Sequence, residues 1–287
     1  MGCGSWDEKT FATYTMTKGR SVDSSGVITD TLSAQEMFVS RTLAPELNPY
    51  NVMRECCDSK EHPNTKPVIL GFDVTGSMGS AAVKVAQNLN QIMTDLYNRV
   101  ADVEFLVMGI GDLTYDRAPI QASQFESDIR IAEQLDKIYF EQGGGGNAFE
   151  SYTAAWYFGL HHTKLDCWKR GQKGIIITMG DEMLNPHLPA RALSRVTGDA
   201  LVQFDSIETA DLYAETIKKF DVYHLAINDK STAWWYYGNA ATKSFRKYLD
   251  ENHFKVVTLN DLAPTIVSIV SGASTECATN TTEAITW

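Results

Sequence analysis

The chain has 287 residues, of which 44% are hydrophobic, and this length fits one large domain or two small ones. Its formal net charge is -11. Such an acidic balance argues against nucleic acid or an anionic membrane as the main partner, since both attract basic patches. No stretch approaches the roughly 20 consecutive apolar residues that a membrane-spanning helix needs.

The first residues carry no sign of export or of lipid attachment. They lack the basic start and the apolar stretch of a signal peptide, and Trp6 stands where the myristoylation pattern requires Ser or Thr. We therefore expect a cytoplasmic protein with reduced thiols. The cysteines are odd in number and have no framework spacing: Cys3, Cys56, Cys57, Cys167 and Cys277.

Residues 1–65 are polar and irregular, and they predict an extension that packs on the main domain. One short helix is expected over 33–41, because Ala34, Met37 and Phe38 recur on one face. At the other end, residues 276–287 are predicted to form a polar tail.

Between residues 66 and 275, predicted strands alternate with predicted helices. The strands are expected at 67–73, 103–110, 120–125 (an edge strand), 174–178, 221–227 and 254–259. The helices are expected at about 80–100, 128–140, 147–160, 209–220, 242–251 and 262–271. This alternation predicts an α/β fold, in which a doubly wound, mostly parallel sheet carries helices on both faces.

Oxygen-bearing side chains follow the ends of several predicted strands. Asp73, Thr75 and Ser77 follow the first strand, Asp112 follows the second, and Asp181 follows the strand at 174–178. Because the carboxyl ends of parallel strands meet at one edge of a sheet, we expect these residues to lie close together. Such a set suits a hard divalent cation such as Mg²⁺.

The segment from Asp73 to Ser77, followed by a helix, resembles the Asp-x-Ser/Thr-x-Ser motif of von Willebrand factor A (vWA) domains. In that family a metal ion-dependent adhesion site (MIDAS) holds a divalent cation at the top of a Rossmann-like sheet. The order of elements from 67 to 271 is similar as well, whereas residues 1–65 lie outside the resemblance. The resemblance implies that Asp73, Thr75 and Ser77 are metal ligands.

Two positions depart from the family pattern. Asn147 stands where the family usually has a threonine after glycines, and its amide oxygen could still bind metal. Alternatively, Asn147 and Glu150 form the N-cap and capping box of the helix at 147–160. Met179 stands at the place of the family's third-loop aspartate, and Asp181 would supply the carboxylate if the turn is shifted.

Plainer interpretations exist for the same residues. Thr75 and Ser77 could cap the following helix while Asp73 holds loop amides. Asp112 could be an acid just outside the ligands or a turn residue, and the turn is preferred. His224, inside a predicted strand, is expected to be a packed histidine.

The aromatic run Trp234–Tyr237 is expected in a loop. It either packs against the N-terminal extension or forms an exposed recognition patch.

The expected function is that of a cytoplasmic, non-enzymatic interaction module, bacterial or phage in type. The bound Mg²⁺, or else Mn²⁺ or Ca²⁺, would accept an Asp or Glu from a protein partner. The resemblance suggests an AAA+ ATPase or another assembly component as that partner, with no role for nucleic acid or membrane. The alternatives are a magnesium-dependent phosphohydrolase of the haloacid dehalogenase type, whose second aspartate is replaced here by Thr75, and a scaffold with a vestigial metal site.

Overall fold

The computed structural model describes residues 4–141, 148–201 and 203–279, without the side chains of Ser77 and of residues 273–279. In this part of the chain the strands are β1 (Arg54–Cys56), β2 (Lys66–Asp73), β3 (Val103–Ile110), β4 (Ile120–Glu126), β5 (Phe149–Glu150), β6 (Thr163–Leu165), β7 (Gly174–Gly180), β8 (Met183–Leu184), β9 (His187–Pro189), β10 (Ser206–Glu208), β11 (Phe220–Ile227) and β12 (Phe254–Val257). The α-helices are α1 (Glu8–Thr17), α2 (Ala34–Met37), α3 (Gly79–Tyr97), α4 (Arg130–Leu135), α5 (Thr153–His161), α6 (Ala190–Thr197), α7 (Thr209–Thr216), α8 (Trp234–Phe245) and α9 (Leu262–Thr279).

Six strands form the central sheet, in the order β12-β11-β7-β2-β3-β4. Every neighbouring pair is parallel except β3 and β4, which are antiparallel. The prediction of a mostly parallel sheet with an edge strand near 120–125 is therefore confirmed. The parallel strands bring the ends of β2, β3, β7 and β11 to one edge, which is called the carboxyl edge below.

The central sheet is covered on both faces by apolar side chains. Val68 and Leu70 of β2 join one cluster, while Ile69 between them joins another. Because successive side chains of a strand point to opposite faces, the two clusters lie on opposite sides of the sheet. The first contains residues of α3 and α9, and the second contains residues of α5, α7 and α8.

Residues 4–65 hold more regular structure than the sequence predicts. Phe11 of α1 is buried in the cluster beside α3, and β1 pairs with β6 in parallel. The Arg54 guanidinium donates to the carbonyl of Ala122 on β4 at 2.8 Å, so this segment covers the edge strand. Helix α1 was not predicted because only Phe11 and Thr15 of its residues are buried, which leaves too few apolar positions for a periodic signal.

Two predicted helices are wrong in their bounds. The helix expected at 147–160 begins at Thr153, and Phe149–Glu150 is instead a strand paired with β8, so Glu150 is not part of a capping box; Asn147 lies outside the described residues. The helix expected at 242–251 is α8, which begins at Trp234 and contains the aromatic run that we expected in a loop. Bulky aromatic residues favour strands intrinsically, and tertiary packing overrides that preference here.

Other bounds differ less. The helix expected at 128–140 is confined to α4, and the last helix, α9, extends beyond its predicted end to Thr279. In the described part of the chain, no helix combines the length and the apolarity that crossing a membrane requires. Cys56, Cys57 and Cys167 are free thiols, whereas Cys3 and the side chain of Cys277 lie outside the described residues.

Candidate functional site

Asp73 ends β2 at the carboxyl edge and is completely buried. Its Oδ1 accepts hydrogen bonds from the Thr75 backbone N–H at 2.7 Å and from the Thr75 hydroxyl at 2.6 Å. The short 3-10 turn and α3 that follow begin without a side-chain cap bond, so the interpretation of Thr75 as a helix cap is wrong. Asp73 does hold a loop amide, as that interpretation also supposed. Because the Thr75 hydroxyl donates its hydrogen bond to Asp73, the lone pairs of its oxygen remain available to bind a metal ion.

Tyr152, which no sequence motif marks as a site residue, contacts the other oxygen of Asp73. Its hydroxyl donates to Asp73 Oδ2 at 3.2 Å and accepts from the Glu182 backbone N–H at 3.4 Å. Burial, and then the charge of Asp73, raise the pKa of Tyr152 well above its usual value, so the hydroxyl keeps its proton and remains a donor. A Cβ at Gly180 would lie 1.8 Å from the Tyr152 hydroxyl oxygen, which explains the glycine at the end of β7.

Asp181 follows β7 and is fully buried. Its Oδ2 accepts a hydrogen bond from the backbone N–H of Ala233, the residue that precedes α8. The carboxylate therefore stabilises the N-terminus of that helix. The register of β2 with β7, in which Phe72 pairs with Met179, places Asp73 and Asp181 at the same edge of the sheet. Burial, followed by the charge of Asp181, raises the pKa of Asp73 well above its usual value.

Glu150 is an unpredicted member of this site. The pairing of β5 with β8 places Glu150 opposite Leu184, next to the turn that carries Asp181 and Glu182. Its side chain is 2% exposed, and its Oε2 has no hydrogen-bond partner in the described structure. Burial, then the charges of Asp73 and Glu182, raise the pKa of Glu150 to about 12. In the sequence, Glu150 is the acid that lies between the glycines at 143–146 and the helix α5. That position is its only sequence signal, and it is equally compatible with a capping box.

Further carboxylates surround these residues. Burial and the neighbouring charges of Asp181, Asp112 and Asp116 raise the pKa of Glu182 to about 7. Burial raises the pKa of Asp116 to about 6. A hydrogen bond from the Asp112 backbone N–H lowers this pKa in part, and the charge of Glu141 raises it further. Carboxylates that repel one another in a buried setting keep their protons, and a bound divalent cation would favour their ionised forms instead.

The chemistry of the donor atoms determines whether this edge fits such a cation. Within the described residues, no three His, Cys, Asp or Glu side chains are arranged to hold a metal ion. The predicted set, however, contains only two carboxylates, Asp73 and Asp181, together with hydroxyl and amide ligands. The oxygen-only chemistry and the orphaned Oε2 of Glu150 fit a hard cation. The Ser77 side chain and Asn147 lie outside the described residues.

The structure assigns local roles to two residues away from the proposed ligands. Asp112 is a turn residue, because its Oδ1 accepts from the N–H of Thr114 at 2.6 Å and of Tyr115 at 3.3 Å. His224 is a packed histidine, whose ring stacks on Phe245 with 3.7 Å between centroids. Burial lowers the pKa of His224 well below its usual value, so the ring stays neutral.

The aromatic run divides between core and solvent. Trp234 packs against the cluster that contains α5 and α7, whereas Trp235 is 80% exposed and Tyr236 is 69% exposed. The exposed-patch interpretation therefore describes these two residues.

No protein-family model matches the chain. No curated protein matches it either. Among solved structures, it is similar to the open conformation of the pilus adhesin SpaC from Lactobacillus rhamnosus GG, with a TM-score of 0.46 and 12% identity, over 77% of this chain and 31% of the adhesin. It is similar to proximal thread matrix protein 1 from the mussel byssus, with a TM-score of 0.44 and 12% identity, over 73% of this chain and 46% of that protein. It is also similar to the vWF domain of a type V pili tip protein from Porphyromonas gingivalis, with a TM-score of 0.43 and 11% identity, over 74% of this chain and 96% of that domain.

Proposed function

We propose that this chain is a protein-interaction module of the vWA type, which binds its partner through a divalent cation at the carboxyl edge. The observation that carries the proposal is that two fully buried acids, Asp73 and Asp181, lie at the ends of neighbouring parallel strands at this edge, with the Thr75 hydroxyl bonded to Asp73. Glu150 supports the proposal as well, because its buried Oε2 has no hydrogen-bond partner among the described residues, and a cation at this edge would offset its burial. Mg²⁺ is the proposed ion, with Mn²⁺ or Ca²⁺ as alternatives.

The residues of the site have separate tasks in this proposal. Asp73, Thr75 and Asp181 would hold the ion, with Ser77 and Asn147 as further proposed ligands. Tyr152 fixes the orientation of Asp73, and the Thr75 proton points to Asp73 and leaves the hydroxyl lone pairs for the ion. When bound, the cation supplies positive charge and an open coordination position. An Asp or Glu of the partner protein fills that position.

Proton release is a consequence of this arrangement. The pKa values of Glu150 and Glu182 are raised to about 12 and about 7, so both acids carry protons in the ion-free protein over part of the neutral range. A cation that favours their ionised forms displaces protons, and its affinity therefore rises with pH.

The proposed module is not an enzyme, and its partner is a protein, by resemblance an AAA+ ATPase or another assembly component. A generic phosphoester such as p-nitrophenyl phosphate should not be turned over with Mg²⁺ present. Turnover that Asp73→Asn abolishes would favour the phosphohydrolase alternative.

The functional test is a pull-down, in which the immobilised chain captures proteins from a cell lysate in the presence of Mg²⁺ or of a chelator. Wild type is set beside Asp73→Ala and beside Asp211→Ala, which removes an exposed acid in the first turn of α7. We expect a defined protein to be retained by wild type and Asp211→Ala in Mg²⁺ only, and to be lost from Asp73→Ala. Retention of the same protein by Asp73→Ala or in chelator would contradict the proposal.

A further inference from the structure

We propose that the exposed face of α8 is a second docking surface, which binds an acidic segment of a partner protein without any cation. The surface, called the α8 face below, consists of Trp235, Tyr236 and Lys243 of α8 and of Arg246 and Lys247, which directly follow the helix. None of these residues is a proposed ligand of the cation, although α8 begins next to Asp181, and the proposal does not rest on the metal-dependent function.

The aromatic end of the α8 face is exposed and preorganised. Trp235 and Tyr236 are 80% and 69% exposed, although both lie in the first turn of a helix whose other side is buried in the core. Their rings meet edge to face with 5.7 Å between centroids, and Tyr236 meets Tyr237 in the same way at 4.7 Å. Such contacts hold large rings in place before binding, and rigid exposed aromatics are the side chains that anchor protein interfaces.

The other end of the α8 face is positively charged. Lys243, Arg246 and Lys247 are exposed, and none of the three forms an ion pair with a described residue. From residue 234 to residue 249 the sequence has no Asp or Glu, although the whole chain has a net charge of -11. These cations also complement the C-terminal end of the helix dipole, but that role does not account for the aromatic pair.

The spacing defines the chemistry of the occupant. Tyr236 and Lys243 are separated by seven residues, which places them on the same side of the helix and about 10 Å apart along its axis. An extended segment covers that distance in about three residues. The complementary partner therefore presents an apolar or aromatic side chain about three residues away from one or more carboxylates.

The test uses a random peptide library displayed on phage, panned against the full chain in chelator so that no metal site contributes. We expect selection of sequences in which an aromatic residue lies three or four positions from Asp or Glu. A selected peptide, measured by fluorescence anisotropy, should bind Trp235→Ala, and the double variant of Lys243→Glu and Lys247→Glu, about tenfold or more weakly than wild type. The controls are Tyr50→Ala, an exposed tyrosine, and Lys60→Glu, an exposed lysine, which should bind as wild type does.

Three outcomes would overturn the proposal. The first is a selection that yields no acidic consensus, or peptides that bind the variants as well as wild type. The second is a single-stranded oligonucleotide that binds more tightly than the peptides and depends on the same residues. The third is self-association, seen by sedimentation velocity, that Trp235→Ala abolishes, since the occupant would then be a second copy of the chain. Because each measurement is made in chelator, failure here is separate from failure of the cation-dependent function.

Discussion

At the scale of single residues, the Tyr152 hydroxyl joins two parts of the site, because it donates to Asp73 and accepts from the backbone of Glu182. Tyr152→Phe removes only that oxygen and leaves Asp73 Oδ2 without a donor among the described residues. A buried acceptor that loses its partner costs about 1–3 kcal/mol. We expect a decrease of this size in the free energy of urea unfolding, together with weaker Mg²⁺ binding.

The matched control for Tyr152→Phe is Tyr248→Phe, since the Tyr248 hydroxyl makes no hydrogen bond in the described structure. It should leave both stability and Mg²⁺ affinity unchanged. Equal effects of the two substitutions would show that the hydroxyl of Tyr152 does not support Asp73.

The raised pKa of Glu150 determines how stability depends on pH. In the unfolded chain this acid ionises near its ordinary value of 4.5, whereas in the folded chain its pKa is about 12. Its contribution is therefore fully favourable below pH 4.5 and is lost progressively as pH rises above that value. In chelator, the wild type should lose stability between pH 4.5 and 7, as measured by thermal unfolding at intervals of pH.

Glu150→Gln replaces the titrating acid by an amide of the same size, so folding no longer depends on the protonation of this side chain. In chelator at pH 7 the variant should be more stable than wild type by roughly 1–3 kcal/mol, with a shallower dependence on pH. It should also bind Mg²⁺ more weakly. A variant that is less stable than wild type at pH 7, with an unchanged slope, would show that Glu150 is not strained by its neighbours.

At the scale of elements, α1 is held to the domain by the side of the helix that carries Phe11 and packs in the cluster shared with α3. Phe11 is 1% exposed and packs on Trp6, whereas Met16 in the same helix is 69% exposed. Phe11→Ala should lower the free energy of unfolding by about 3–5 kcal/mol, because it leaves a cavity in the cluster shared with α3. Met16→Ala should change it by less than about 0.5 kcal/mol. A small effect of Phe11→Ala on chemical denaturation of the whole chain would show that α1 is energetically separate from the sheet.

The start of α8 depends on Asp181, whose carboxylate accepts from the Ala233 N–H. Asp181→Asn keeps an oxygen acceptor there, whereas Asp181→Ala removes it, at a cost of about 0.5–2 kcal/mol for a lost cap. We therefore expect thermal unfolding to distinguish the two variants, with Ala the less stable. Both should lose Mg²⁺ affinity, since both lack the charge. Equal stabilities would show that Asp181 does not anchor the helix.

At the scale of the whole molecule, the sequence was sufficient to predict the central sheet. Long apolar runs such as 103–110 correspond to strands buried on both faces, and the one-sided stripe of α3 has an equally clear period. Because parallel strands share a direction, the meeting of Asp73 and Asp181 at one edge followed from the same reasoning. The domain limits at 65 and 275 and the cytoplasmic location remain predictions.

What could not be predicted depends on contacts between distant segments. Glu150 lies at the site because the two-residue strand β5 pairs with β8. A strand of two residues is too short to produce a recognisable hydrophobic pattern in the sequence. Tyr152 reaches Asp73 across 79 residues of sequence, through a close approach that requires Gly180. The aromatic residues at the start of α8 do not predict a helix by themselves, because the buried positions of this helix are the small or distant Gly238, Ala241 and Phe245.

The central claim is that a divalent cation binds at the carboxyl edge through Asp73. Isothermal titration of Mg²⁺ into metal-free protein tests it most directly, with wild type compared with Asp73→Ala and with the exposed control Asp211→Ala. Circular dichroism should first verify that the three proteins are folded. The account predicts saturable binding to wild type and to Asp211→Ala, and none to folded Asp73→Ala. Absence of saturable binding to wild type, or undiminished binding to Asp73→Ala, would contradict it.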